Sequence, residues 1–387
     1  MNAKTVTLGS IAKVTSGGTP DRQRLEYWGG EVPWVKTTLI QNCEINRDDI
    51  DETITEEGLR KSSAKIVPAG AILMAMIGQG KTRGQVALLN THAAINQNCA
   101  ALILNNGVDA RYIYQQLLYR YDELRDASNS SGQQNLNAAL IRSFRIPRVD
   151  AHQQARIGKV LTEWDSAIEK TERLVAAKSD QASQIRERLI GHGTSKHTRL
   201  REATRESLAR NGPTLGRDRI MGVTNDRGMR PMREETIAAS VERYKIVRPR
   251  AFAYNPMRLN VGSIAMSPFD RDVLVSPDYV VFECDESKML PGYLNHLRRT
   301  RHWSSFFDVA GSGSVRVRIY YDDLAAFTFP LPTIEEQRRV VAVLDTAAAE
   351  IDVLARYAAA LRRQKRGLMQ KLLTSKWRVP IDEGVTA

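Results

Sequence analysis

Two long stretches of the chain carry apolar residues spaced alternately four and three positions apart. The first covers ten positions from Ile157 to Leu189, eight of them apolar, and the second repeats the pattern from Val340 to Leu372 with nine apolar positions. A spacing of this kind held over four heptads is typical of coiled coils. It predicts two long helices, over 147–192 and 329–378, each of about 40 residues and about 60 Å.

We expect the two apolar seams to bury each other in an antiparallel pair, which is the simplest way for two such helices of one chain to meet. Lys178 and Lys365 each interrupt a seam. Either residue could help to fix the register of the pair, or could simply extend its ammonium group to solvent.

The chain also contains an internal duplication. Under one constant shift along the sequence, Ser143–Glu169 aligns without a gap on Ala326–Asp352, so that Phe144 meets Phe327 and Pro147 meets Pro330. This shift far exceeds the period of roughly 20–50 residues that solenoid repeats have, and it indicates two globular modules. The predicted domains are therefore 1–146 and 217–328, each followed by its long helix. Residues 193–216 are predicted as a linker with a short helix around 199–209.

Within the modules, short apolar runs alternate with turn residues. Ala71–Ile77 and Gln85–Leu89 predict strands around a glycine-rich turn, and Ala110–Arg125 predicts a helix. Matching elements in the second module are expected at 263–267 and 279–283 for strands and at 292–307 for a helix. The predicted fold class is α+β: two globular domains separated by a pair of antiparallel coiled-coil helices, with an internal pseudo-twofold repeat.

Composition points to a polyanionic partner. The chain of 387 residues has a formal net charge of +12 and an isoelectric point near 9.7, and nucleic acid is the simplest partner for such a charge. Its three cysteines are widely spaced and indicate no zinc site. We find neither the apolar segment of a signal peptide nor an apolar run long enough to span a membrane, so a cytoplasmic location is expected.

The glycine-rich segment Ile77–Gly84 (IGQGKTRG) has two interpretations. A phosphate-binding P-loop would need glycine at Ala75 and a helix after Lys81, whereas the following residues continue as a strand. A hairpin tip that carries polar and basic side chains suits DNA-groove recognition instead. The candidate contacts are Gln79, Lys81, Thr82 and Arg83, although an exposed turn with ordinary solvated charges stays possible.

Further candidates for DNA contact are amide and basic side chains in predicted loops. Amides can pair bidentately with adenine, and arginines with guanine or phosphate, but the same residues are common in turns and on solvated strand edges. Gly311–Arg318 occupies the place in the second module that Ser131–Asn137 occupies in the first. The candidates are Asn96, Gln97, Asn98, Gln133, Gln134, Asn135, Lys245, Arg248, Arg250, Arg316 and Arg318.

The sequence contains no catalytic motif of a methyltransferase, nuclease, metalloprotease or serine hydrolase that we can identify. We therefore expect a binding protein that directs the chemistry of other subunits. A coiled-coil adaptor that binds proteins through two globular ends is the alternative.

Several motifs resemble those of the specificity subunits of type I restriction–modification systems. They lie at Thr15–Pro20, Tyr27–Val35, Ile54–Gly84, Ile95–Leu102, Ala253–Ala265 and Phe329–Asp345. The junction at Ala151–Gln154 departs from the family pattern that Ile334–Gln337 follows.

The resemblance implies two target-recognition domains that each read half of a split DNA sequence, with the helices setting the gap between the halves. It also implies two methylation subunits that supply S-adenosylmethionine, and a restriction subunit that uses ATP and Mg²⁺ for translocation. No cofactor is expected in this chain itself.

Overall fold

The computed structural model describes residues 4–78, 80–130, 135–191, 197–225, 228–238, 240–310 and 318–380. The chain forms two compact units. The first comprises residues 1–171 with 357–387, and the second comprises residues 172–356. Each unit thus contains part of both long helices. No helix among the described residues is long and apolar enough to cross a membrane.

The first unit is built on short strands and helices. Its strands are β1 (Thr5–Thr7), β2 (Ala12–Ser16), β3 (Trp28–Val35), β4 (Cys43–Ile45), β5 (Thr53–Ile54), β6 (Ile66–Val67), β7 (Ile72–Ala75), β8 (Val86–Leu89), β9 (Ala93–Ile95), β10 (Cys99–Leu104) and β11 (Arg145–Pro147). Its helices are α1 (Leu8–Ile11), α2 (Glu56–Arg60), α3 (Ala110–Tyr119), α4 (Tyr121–Ser130), α5 (Ala138–Ser143) and the start of α6 (Ala151–Gly191).

The main sheet of the first unit has the order β2-β10-β7-β8-β4, and a second sheet has the order β5-β3-β9-β6. Side chains of β7 alternate between two cores: Ile72 and Met74 pack with α3, whereas Leu73 and Ala75 pack on the opposite face. Because both faces of the main sheet are covered, its strands read as continuous apolar runs rather than as alternating ones.

The second unit has fewer strands but the same plan. Its strands are β12 (His197–Arg199), β13 (Thr204–Glu206), β14 (Met221–Thr224), β15 (Gly228–Pro231), β16 (Lys245–Val247), β17 (Phe252–Tyr254), β18 (Ile264–Met266), β19 (Val273–Val275), β20 (Val280–Cys284) and β21 (Thr328–Pro330). Its helices are α7 (Pro291–Leu297), α8 (Arg301–Ala310), α9 (Tyr321–Ala325) and the start of α10 (Ile334–Leu372).

The two units share one sheet topology. The order β13-β20-β17-β18 in the second unit repeats β2-β10-β7-β8 in the first, and β12 pairs with β21 as β1 pairs with β11. Even single hydrogen bonds recur: the Leu8 N–H donates to the Phe144 carbonyl, and the Leu200 N–H to the Phe327 carbonyl, both at 2.9 Å. The duplication inferred from the helix junctions therefore extends through the globular parts.

Residues 197–206 correct one prediction. They form β12, a 3₁₀ turn at Leu200–Glu202 and β13, and the short helix expected around 199–209 was wrong. β13 pairs with β20 at the edge of the sheet of the second unit. Much of the stretch predicted as a linker therefore belongs to a globular part and is the equivalent of 5–16.

A glutamine near the start of each long helix positions a shorter helix of the same unit. Gln337 is fully buried, accepts a hydrogen bond from the Leu290 N–H at 2.8 Å, and donates to the carbonyls of Lys288 and Pro332 at 2.9 Å each. Gln154, its counterpart in the internal alignment, accepts from the Asp109 N–H at 3.1 Å and donates to the Val149 carbonyl. Both amides fix the start of the helix that follows the sheet, α3 or α7.

The seams of the long helices are buried largely as predicted. All ten seam positions of α10 are buried or partly buried, whereas at the end of the seam of α6 Leu189 is exposed and Ile190 is buried instead. Lys365 in the first unit pairs with Asp165 at 2.5 Å, and Lys178 in the second unit with Glu350 at 2.9 Å. Both lysines thus reach a carboxylate on the facing helix, which favours their role in register.

His296 on α7 and Gln115 on α3 each contact an aspartate on a long helix, although the two aspartates are not equivalent positions. Gln115 donates to Asp165 at 2.7 Å, and His296 Nε2 lies 2.8 Å from Asp345. Burial lowers the pKa of His296; Asp345 opposes this shift, and Arg299 and Arg186 add to it. His296 Nδ1 is buried without a hydrogen-bond partner, so a second proton on the ring would have no acceptor.

We expect His296→Gln to weaken the dependence of unfolding free energy on pH. The folded state disfavours the protonated ring, so the wild-type chain should lose stability as pH falls below the ordinary histidine value of about 6.5. Glutamine keeps the hydrogen bond, as Gln115 does, and does not titrate. Urea unfolding at pH 7.5 and 5.5 measures the difference for both chains. An equal loss in the variant would assign the pH dependence to other groups.

Candidate nucleic-acid interface

Three of the predicted contact segments of the first unit meet at one end of the main sheet. The Met76 N–H donates to the Asn98 carbonyl at 2.9 Å, and the Met76 carbonyl accepts from the Leu136 N–H at 2.9 Å. The loop between β7 and β8, the turn at Asn96–Asn98 and the segment before α5 therefore lie side by side. We call this group of loops the first-unit loop cluster.

The loop between β7 and β8 is held by α4. The Tyr121 hydroxyl donates to the Lys81 carbonyl at 2.5 Å, and Arg125 Nη1 donates to that hydroxyl at 2.7 Å. Gly84 has a φ of +86° and lies against Arg125, where an added Cβ would be only 3.2 Å from a side-chain carbon. Side chains of α4 thus hold the backbone of the loop, while the Lys81 side chain is exposed.

The predicted contacts of the first unit differ in exposure. Lys81, Gln97 and Asn135 are exposed, and Thr82, Arg83 and Asn98 are partly buried. Thr19 donates to Gln97, which ties the Thr15–Pro20 motif to the loop cluster. Gln79, Gln133 and Gln134 lie outside the described residues.

Asn96 shapes the turn rather than facing solvent. Its side chain is buried, and Oδ1 accepts hydrogen bonds from Thr37 Oγ1 and from the Asn98 N–H, both at 3.0 Å. This is the local bonding by which asparagine stabilises turns. Asn96 therefore positions Gln97 and Asn98.

An equivalent loop cluster lies in the second unit. The Ile319 N–H donates to the Pro256 carbonyl at 3.1 Å, and the shift that aligns Phe144 with Phe327 also places Leu136 on Ile319. The loop 255–263 between β17 and β18 therefore replaces the loop between β7 and β8. Arg318, which is exposed, takes the place of Asn135. Arg316 lies outside the described residues.

Arg258 was missed by the sequence analysis. It lies in the loop 255–263, is exposed, and has no described carboxylate within 4 Å of its guanidinium nitrogens. The constant shift of the internal alignment places Arg258 on Ala75, so only the strand order, in which β17 and β18 repeat β7 and β8, places this loop opposite Ile77–Gly84.

Lys245, Arg248 and Arg250 are not brought to this cluster. They precede β17, whereas the loop 255–263 follows it, so the two groups lie at opposite ends of the strand. Each faces a carboxylate: Glu206 at 3.9 Å, Glu283 at 3.3 Å and Glu286 at 3.2 Å, respectively. Lys245 is also buried, which lowers its pKa.

The geometry around Lys81 does not match a nucleotide-binding P-loop. The residues after Gly84 form β8, as the sequence analysis predicted, and not the helix whose N-terminus would face phosphates. Among the described residues, no group of three His, Cys, Asp or Glu side chains is placed to hold a metal ion. The arrangement offers hydrogen-bond donors, amides and cations on exposed loops, which suits binding of a polyanion.

Residues 2–177 match the family profile of the type I restriction modification DNA specificity domain. A type I restriction enzyme specificity subunit of Escherichia coli is 30% identical over 166 residues, which are 41% of this chain and 40% of that protein. The putative specificity subunit MjaX of Methanocaldococcus jannaschii is 20% identical over 407 aligned positions, which cover 96% of this chain and 93% of that one. The chain is thus similar to type I specificity subunits, and the family profile matches its first part, residues 2–177.

Two solved structures share the fold of this chain. The type I S subunit from M. genitalium has a TM-score of 0.60 at 11% identity and covers 96% of both chains. A chain from a structure of a type I restriction–modification system has a TM-score of 0.56 at 18% identity and covers 96% and 98%. The predicted α+β class with two long helices is confirmed.

The alignment with the Escherichia coli protein covers only 40% of that protein's length.

Proposed function

We propose that this chain recognises duplex DNA for a type I restriction–modification complex. In this proposal, the loop cluster of the first unit contacts one half of a split target through Lys81, Gln97, Asn98 and Asn135. The equivalent cluster of the second unit contacts the other half through Arg258 and Arg318. Lysine and arginine supply phosphate contacts, and amides or arginine supply contacts with base edges.

The recurrence of one loop cluster in both units carries the proposal. The Leu136–Met76 and Ile319–Pro256 hydrogen bonds place equivalent loops at the same end of equivalent sheets. The side chains that these loops expose differ, with Lys81 and Asn135 in one unit and Arg258 and Arg318 in the other. One scaffold with different exposed side chains is what recognition of two unlike half-sites requires.

The partners follow from the family. The relatives that match are specificity subunits of type I restriction enzymes, and the net charge of +12 suits a DNA ligand. Two methylation subunits would then supply S-adenosylmethionine, and a restriction subunit would supply ATP- and Mg²⁺-dependent translocation. The chain itself contributes recognition and no catalysis in this proposal.

We expect Lys81→Ala and Arg258→Ala each to weaken DNA binding by about three- to tenfold at 0.1 M salt. Each should also reduce the slope of log K against log salt by about 1, because one phosphate contact and its released counterion are lost. Fluorescence anisotropy with the full chain and a labelled duplex gives both quantities. Both side chains are exposed, so the unfolding free energy should change little.

Arg248→Ala is the matched control, since it removes the same charge at the opposite end of β17 and breaks only a surface ion pair. Its affinity and slope should stay near those of the wild-type chain. Equal losses in all three variants would indicate a nonspecific charge effect. Unchanged binding in Lys81→Ala and Arg258→Ala would contradict the proposed interface and favour the adaptor alternative.

A further inference from the structure

A groove with a volume of 1120 Å³ lies in the second unit, between the β14–β15 hairpin, the loop after β17 and helices α7 and α8. Its wall includes apolar side chains that are almost fully buried, among them Leu259, Trp303 and Phe307. No aspartate or glutamate occurs among the described residues that line it. Its polar lining is Asn225, Arg230, Asn260, Asn295, Arg298, Arg299 and Ser304.

Arg298 is held in a fixed orientation at the end of α7. Its Nε donates to Asn295 Oδ1 at 2.9 Å, which leaves the two terminal nitrogens of the guanidinium for a ligand. The side chain is partly buried. A guanidinium fixed in this way has already lost part of the conformational freedom that ligand binding would otherwise remove.

Arg298 and Arg299 form no close ion pair in the described part of the chain, although the charge of Asp345 acts on Arg299. No described carboxylate lies within 4 Å of their nitrogens. Burial lowers the pKa of Arg298 to about 9, and the charges of Arg299 and of Arg186 on α6 add to the shift. Arg298 is partly buried and Arg299 is exposed, so the cost of holding like charges together falls mainly on Arg298, and a bound anion would lower it.

The fold itself does not require arginine here. The Asp109 and Leu290 N–H groups bond the equivalent glutamines Gln154 and Gln337, and counting eight residues on from each pairs Leu117 with Arg298. In the same register Arg299 corresponds to Leu118. Leu117 is fully buried in the core of the first unit. The second unit thus carries two cations where the first carries apolar side chains.

We infer that Arg298 and Arg299 bind a phosphodiester of the DNA backbone in this groove. The inference rests on the proposed function, because the groove adjoins the loop that carries Arg258: Leu259, Asn260, Val261 and Gly262 line it directly. Planar guanidinium groups match phosphate oxygens in paired hydrogen bonds. The second unit would therefore hold one DNA strand more firmly than the first, through a contact that the first unit lacks.

The test replaces both arginines by the leucines of the first unit, in Arg298→Leu/Arg299→Leu. We expect DNA affinity to fall by about ten- to thirtyfold at 0.1 M salt and the salt slope to fall by about 2. We expect the thermal midpoint to stay the same or rise, because two neighbouring cations that repel each other are removed. A structural role for the arginines would lower that midpoint instead. Arg298→Gln/Arg299→Gln provides a second variant in case the leucine pair disturbs folding.

Arg338→Leu/Arg339→Leu is the matched control, because it removes two adjacent exposed arginines of the second unit that pair only with Glu335. It should bind DNA nearly as the wild-type chain does. Unchanged affinity in both groove variants, with Lys81→Ala and Arg258→Ala still impaired, overturns the groove assignment and leaves the proposed interface standing. Adenosine monophosphate could instead raise the thermal midpoint of the wild-type chain while both groove variants still bind duplex DNA as the wild-type chain does. That result would assign the groove to a free nucleotide and overturn the DNA assignment.

Discussion

Lengthening both long helices by one heptad is expected to widen the gap in the methylated DNA target by about three base pairs. Seven residues add about 10 Å to a helix, and base pairs rise 3.4 Å each. Copies of 165–171 after Thr171 and of 350–356 after Arg356 keep the seam in phase, because seven residues restore its four-and-three spacing. The insertions fall where the chain passes between its two compact units. Methylome sequencing of cells that carry the variant with its partner subunits reads the target directly.

The half-site sequences should stay the same in this variant, since no exposed loop changes. Each added base pair also rotates the DNA, so a lower extent of methylation is expected. A heptad in α6 alone serves as the control, because it shifts Lys178 away from Glu350 or Asp165 away from Lys365 and should abolish methylation. A target with its original gap would show that the helices do not set the spacing. Altered half-sites would show that they read sequence.

Gln337→Ala is expected to lower the unfolding free energy of the second unit by about 2–4 kcal/mol. The change leaves the Leu290 N–H and the carbonyls of Lys288 and Pro332 without their partner in a buried position, and each such group contributes a penalty of about 1–3 kcal/mol. α7 has no side-chain cap of its own at Leu290. Urea denaturation, with hydrogen exchange over 288–297, measures the loss.

Gln154→Ala is the matched variant in the first unit and should lower stability by only about 1 kcal/mol. There the Asp109 side chain already caps α3 by accepting from the Tyr112 N–H at 2.7 Å. The Gln154 side chain is also only partly buried, so water can replace some of its contacts. Equal losses in the two variants would contradict the role assigned to the missing cap of α7.

Most of the fold that could be predicted from the sequence was predicted from the spacing of apolar residues. The four-and-three spacing identified both long helices, and the apolar runs identified β7 and β8, because burial on both faces leaves a strong pattern. Residues 197–206 were misassigned, since strands of three residues show almost no periodicity. Their place became visible only through pairing with β20 and β21.

The candidate site was predictable where residue type and turn chemistry coincided. The loop at Lys81 and its neighbours at Asn98 and Asn135 are brought together, but Asn96 faces inward because its amide shapes the turn. Lys245, Arg248 and Arg250 looked equally basic, and only the strand direction separates them from Arg258. Charge along a sequence does not indicate the end of a sheet at which it will lie.

The strand pairs at the base of each globular part have a consequence for how such chains diversify. Thr5 lies opposite Pro147, and His197 lies opposite Pro330, so the chain enters and leaves each part through neighbouring antiparallel strands about 5 Å apart. A foreign segment that ends in the same two strands could replace 5–147 or 197–330 without any change in the path of the flanking chain. Each globular part is thus bounded by one pair of strands, and on the proposed function recombination at these two strand pairs would be expected to change the half-site that the part recognises.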